Sequence, residues 1–99
     1  MKYEIVISRL AAEQFQKFDA RWRSSLKGAL KEHLQFEPRK ESRSRIKHLR
    51  GLRKPQYRLR VGEMRIFYDV DDQSQRVEIL AFVLKPETED WLHEHGVPE

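Results

Sequence analysis

The stretch that most restricts the fold is YRLRVGEMRIFYDV, Tyr57–Val70. Two runs of alternating side chains flank a Gly-Glu pair, and Gly in the first turn position suits a tight II′ hairpin. That turn sets the register. Val61 then faces Met64, Arg60 faces Arg65, Leu59 faces Ile66, Arg58 faces Phe67 and Tyr57 faces Tyr68. Side chains alternate across a sheet, so Tyr57, Leu59, Val61, Met64, Ile66 and Tyr68 share one face. Arg58, Arg60, Arg65 and Phe67 share the other. A slip of one residue would break both sets at once. The apolar set must point at a covering layer, and the arginines at the opposite side.

The rest of the chain supplies that layer. YEIVIS (Tyr3–Ser8) is rich in β-branched residues and reads as a strand. Ser8 suits a helix N-cap, and Leu10, Ala11, Phe15 and Phe18 follow at helical spacings. After a break near Asp19–Ala20, Trp22, Leu26, Ala29, Leu30 and His33 form the apolar stripe of a second helix, which Pro38 ends. Trp22 and His33 read as packing residues on that stripe. Residues 39–54, RKESRSRIKHLRGLRK, read as a basic loop anchored by Ile46, Leu49 and Leu52, with a tight turn at Gly51. VEILAFVL (Val77–Leu84) is almost wholly apolar, as a strand covered on both faces would be. Pro86 opens a short helix, with Glu87, Glu89 and Asp90 in its first turn, that ends at Gly96. The expected architecture is one α+β domain over residues 1–99, in the order β-α-α-β-β-β-α. It is a small, largely antiparallel four-stranded sheet with two N-terminal helices on one face and a short C-terminal helix.

Charge is unevenly spread. The chain carries +4 overall. Residues 39–65 hold eleven Lys or Arg against two acids, whereas residues 86–99 hold five acids and no Lys or Arg. A concentrated basic segment marks a site for a polyanion or an acidic partner. Arg60 opposite Arg65 costs stability unless something compensates. Either phosphate groups, which arginine binds through two parallel hydrogen bonds, or Glu87, Glu89, Asp90 and Glu94 of the last helix would do so. With no cysteine there is no disulfide framework and no thiolate zinc site. His93 and His95, two apart on a helix, lack metal-binding spacing. No metal or cofactor is expected. KYEIVI is too short and too charged for a signal peptide, no stretch has the length of a membrane span, and a cytoplasmic location fits.

HLRGLRKPQYRLRVGEMRIFYDV (His48–Val70) resembles the central signature of the RelE/ParE toxin superfamily: a Leu-Gly element, a Tyr-Arg-Leu-Arg strand, a short turn and an Arg-Ile-x-Tyr strand. The likeness extends to the opening strand, the helix pair and the last strand with its Lys85 exit. It implies a toxin of a type II toxin–antitoxin pair, with a cognate antitoxin as protein partner. In the RelE branch it implies a ribosome-dependent endoribonuclease that cuts mRNA by 2′-OH attack on the phosphodiester. In the ParE branch it implies an inhibitor of DNA gyrase, and a third possibility is a RelE-fold partner with little activity. On the nuclease reading the resemblance puts Arg58, Arg60, Arg65, Lys85 and Trp91 at catalytic positions. The basic segment adds RNA-binding candidates: Arg45, Lys47, His48, Arg50, Arg53, Lys54 and, by stacking, Phe67. Arginine is a poor base, so the proton acceptor falls to Lys85, Lys54, a carboxylate or a histidine, His93 among them. Trp91 brings no hydroxyl for acid–base work.

Overall fold

The computed structural model describes residues 1–99. Its elements are β1 (Glu4–Ile7), α1 (Arg9–Gln16), α2 (Ala20–Leu34), β2 (Ile46–His48), β3 (Leu52–Lys54), β4 (Tyr57–Val61), β5 (Met64–Asp71), β6 (Arg76–Leu84), a 3-10 turn (Lys85–Glu87), α3 (Thr88–His95) and β7 (Val97–Pro98). Five strands form one sheet in the order β1-β6-β5-β4-β2. Only the β1–β6 pair is parallel. The fold is α+β, with two helices on one face of the sheet.

Local chemistry explains the helix boundaries. The Ser8 hydroxyl accepts the Ala11 N–H at 3.3 Å, and the Asp19 carboxylate accepts the Trp22 N–H at 2.8 Å. Each bond satisfies one of the backbone donors that a helix start leaves unpaired. From these caps onward α1 buries Ala11 and Phe15, and α2 buries Leu26, Leu30 and Leu34. They close over Leu59, Ile66, Tyr68, Val77 and Ile79 of the sheet. Trp22 departs from the expected stripe. It is 39% exposed, at the rim of the core, with its ring centroid 6.3 Å from that of Phe18. Gly28 lies in the middle of α2 on its outer side, and a Cβ there would meet nothing within 4 Å. Gly28→Ala is therefore expected to stabilise the protein by about 1 kcal/mol, the helix-propensity difference. A urea unfolding midpoint that failed to rise would show that α2 is packed on its outer side.

The hairpin has the expected register, from Tyr57↔Tyr68 to Val61↔Met64. Gly62 takes φ +59° while Glu63 keeps an ordinary φ, as a II′ turn requires. The segment 39–54 is more ordered than a loop. Ile46–His48 pairs antiparallel with β4, which makes the sheet five-stranded rather than four-stranded. The reason is Ile46, which sits opposite Leu59 on the core face and is itself buried. The chain then covers its own sheet edge. Ser42 Oγ accepts the Arg45 and Ile46 N–H groups, and Glu41 accepts that of His48 at 3.0 Å. Satisfying an edge in this way removes a template for aggregation. Gly51 makes the expected turn with φ +81°, and Leu52–Lys54 pairs with Val97–Pro98 in a separate two-stranded sheet.

The second face of the main sheet is partly covered. Phe67, Ala81 and Val83 are buried there beneath Leu49, Trp91 and Leu92. The C-terminal half of β6 is thus enclosed on both faces, as its apolar run predicts. Gly96 follows α3, but not by adopting a left-handed backbone: its φ is −69°. It is needed for close approach, since a Cβ would lie 2.5 Å from the Leu92 carbonyl oxygen. No helix is long and apolar enough to cross a membrane.

Candidate nucleic-acid interface

Strand pairing assembles the basic residues into an array. Arg58 on β4 lies opposite Lys47 on β2 and Phe67 on β5. Arg60, two residues along and on the same face, lies opposite Arg65. Arg45 continues that row: its carbonyl accepts the Arg60 N–H at 2.9 Å, and its guanidinium donates to the Arg60 carbonyl at 3.1 Å. Neighbouring strands stand ~4.8 Å apart and same-face residues ~6.8 Å apart along a strand. Five cations therefore crowd one patch of sheet: Arg45, Lys47, Arg58, Arg60 and Arg65.

No carboxylate forms an ion pair with them. Of the eleven bases in residues 39–65, Arg39 pairs with Asp72, Lys40 with Glu37 and Lys54 with Asp69. None of the five has a carboxylate within ion-pair distance, and the acids of α3 do not cover them. The cost shows in the arginines themselves. Burial, then the charges of Arg65 and Arg60, pushes the Arg58 guanidinium below the usual arginine range. Its Nε is buried without a hydrogen-bond partner. Arg65 is also shifted down, by burial and then by Arg60, against a smaller opposing effect of Glu63. Arg65 is only 5% exposed and donates to the Gly62 carbonyl at 2.8 Å and the Met64 carbonyl at 3.3 Å, so it is braced against the turn. Arg60, by contrast, is exposed.

Other candidates fall into place or away from it. The Lys85 N–H donates to the Glu63 carbonyl at 2.8 Å, which anchors Lys85 at the Arg65 end of the hairpin. Glu63 is a residue that sequence reasoning passed over. It is the one carboxylate that acts on the Arg65 charge, and its position beside Gly62 in the turn was the available signal. Phe67 is fully buried rather than open to a base. The ring of Trp91 lies on it, centroids 4.9 Å apart and planes 3° from parallel, and His95 lies 5.0 Å from Trp91. These aromatics have each other as partners. The indole locks α3 to the sheet by stacking on the flat ring that β5 presents, with Leu92 of the same helix packed beside it.

His48 faces the helix side, opposite Tyr57, with ring centroids 5.0 Å apart. It therefore lies on the wrong face to join the arginines, a consequence of β2 being a strand. Lys54 lies 4.0 Å from Asp69, whose carboxyl burial raises above its ordinary range. Asp69 also accepts the Gln56 N–H at 2.8 Å. Lys54 is thus tied to the start of β4. Arg50 and Arg53 are exposed on the turn and β3 beyond the array, and His93 is exposed on α3. Chemically the array can grip closely spaced anions. Lys85 and Glu63 are the titratable groups at its Arg65 end.

The chain resembles a known family and solved structures in its fold. The family model of the ParE toxin of type II toxin–antitoxin system, parDE, matches residues 5–84. No curated protein matches the sequence. A doubly arginine-to-alanine-substituted Escherichia coli RelE toxin, in the free state, is 25% identical, with a TM-score of 0.70 over 92% of this chain and 92% of that one. A chain of the Mycobacterium tuberculosis RelBE2 toxin–antitoxin complex is 23% identical, with a TM-score of 0.62 over 85% of this chain and 99% of that one. The YoeB/ParE toxin from Agrobacterium tumefaciens is 18% identical, with a TM-score of 0.61 over 82% and 96%. With the hairpin, the helix pair and β6 all inside the matched span, the chain belongs to the RelE/ParE superfamily and is a toxin of the type II toxin–antitoxin kind.

Proposed function

We propose that the arginine face holds an RNA backbone and that this toxin is a ribosome-dependent mRNA endoribonuclease. The observation that carries the reading is the array of five cations, none of them in an ion pair. Such crowding costs folding energy, and a polyanion returns it. In the reaction a 2′-oxygen attacks the adjacent phosphorus, its proton passes to a base, and the 5′-oxygen leaves with a proton. Arg58, Arg60 and Arg65 would steady the charge that builds on the phosphorane. Lys85 and Glu63 are the groups available to take and return the proton. The chemistry needs no metal. Arg45, Lys47, Arg50 and Arg53 would extend the grip along the message or the ribosomal RNA. The solved relative in complex with its antitoxin supports a cognate antitoxin here, whose acidic segment would cover the same cations.

A second reading is a gyrase inhibitor. It is favoured by the matched family model being that of ParE and by the absence of an imidazole in the array. Both are tested in one experiment. Primer extension on mRNA from a translating extract should show cuts at defined positions with wild type, and about 100-fold fewer with Arg60→Ala, the usual loss on removing one transition-state donor. Intact mRNA together with blocked DNA supercoiling would overturn the nuclease reading and establish the second.

A further inference from the structure

The molecule has a second surface of opposite character. A groove of about 390 Å³ runs between α1 and α3 past the end of β6. Its floor is apolar, made by Phe18, Phe82 and Leu84 among others. Leu84 is 45% exposed, and the half-exposed Trp22 lies next to Phe18. The α1 wall is fixed in place, because the Gln14 side chain accepts the Phe82 N–H at 2.7 Å. The α3 wall carries Glu87, Asp90 and Glu94. These positions, three and four residues apart, fall on one side of the helical turn and its approach. Glu87 and Asp90 have no basic partner, and Glu94 meets only the neighbouring His95 at 3.6 Å. Lys17 is the single cation of the lining.

We infer that this groove is a docking site for a basic amphipathic helix of a partner protein. The charge decides the occupant. A chain of +4 overall presents here three carboxylates against one lysine, which repels nucleic acid and any acidic segment. The apolar floor asks for Leu-like anchors three and four residues apart, as helix-in-groove recognition uses. Lysines or arginines beside those anchors complete the match with Glu87, Asp90 and Glu94. This surface does not depend on the arginine face or on its proposed chemistry.

The test uses a fluorescein-labelled helical peptide with leucines on one stripe and lysines beside them, and the same peptide with glutamines in place of the lysines. Fluorescence anisotropy with the full-length protein should show the lysine peptide binding about tenfold tighter or more, equivalent to one strong charge contact. The Glu87→Gln/Asp90→Asn/Glu94→Gln variant should lose that preference, Leu84→Ala should weaken both peptides, and Arg60→Ala should change neither. Should the triple substitution disturb α3, seen as a lower melting temperature, the Leu84→Ala result carries the test, since β6 does not rely on the exposed end of that side chain. Equal binding of the two peptides, or a lysine preference that survives the triple substitution, would overturn the inference.

Discussion

Arg58→Met is expected to make the protein more stable while weakening its hold on RNA. Arg58 stands between Lys47 and Phe67 in its row and next to Arg60 and Arg65, and its Nε is buried with no partner. A buried unpaired donor costs about 1–3 kcal/mol, and its replacement by an apolar group of similar shape recovers much of that. Methionine follows the aliphatic stem of arginine and leaves no polar atom to satisfy. Titration offers no relief, since arginine stays charged throughout the accessible pH range. Wild type therefore carries the cost at every pH. We expect a gain of about 1–2 kcal/mol in denaturant unfolding. In the same protein the affinity for single-stranded RNA should fall, and the slope of log affinity against log salt should flatten by about 0.7, the share of one phosphate contact. Arg58→Lys should restore most of the slope and little of the stability. Lower stability in Arg58→Met would mean that the fold already compensates this arginine. An unchanged slope would mean that Arg58 does not meet phosphate.

The parts of the molecule legible in the sequence are those that local requirements dictate. The hairpin was legible, because the two-residue turn and the period-two alternation dictate the same register and therefore the same two faces. The cap at Ser8, the break near Asp19 and the turn at Gly51 were legible for similar reasons: each is a local requirement met by a local residue. Strand β2 was not. Three residues in a run of eight cations carry too little pattern, and Ile46 becomes a strand residue only because Leu59, thirteen positions on, offers it a place in the core. This one strand changed the site twice. It brought Lys47 and Arg45 beside Arg58 and Arg60, and it turned His48 to the other face. Phe67 was read as a stacking surface for a nucleobase and Trp91 as a residue at a catalytic position. Their pairing is a tertiary contact between β5 and α3, which no spacing within either element announces. The arginines were grouped on the correct face. Their lack of acidic partners, on which the functional reading rests, required the position of α3.

The position of α3 itself depends on Trp91, and Trp91→Ala should be the most damaging single substitution outside the main core. The indole lies flat on Phe67, and with Leu92 it covers Phe67, Ala81 and Val83. Removing it exposes the fully buried Phe67 ring and leaves the C-terminal helix held by Leu92 and the short β3–β7 pairing. Loss of an aromatic side chain from such a contact costs about 3 kcal/mol, the lower end of the range for tryptophan because Trp91 is itself only partly buried. Amide hydrogen exchange should quicken through 88–98 while the β4–β5 hairpin stays protected. Trp91→Phe separates this structural role from a role on the substrate. A phenyl ring can still stack on Phe67, so stability should largely return. If Trp91 only braces α3, mRNA cleavage by Trp91→Phe should match wild type. A folded Trp91→Phe protein that binds RNA normally but no longer cuts would instead put the indole at the reacting phosphate. The stacked geometry argues against that outcome: a ring pressed against Phe67 at 4.9 Å has one face already occupied, and His95 stands 5.0 Å away.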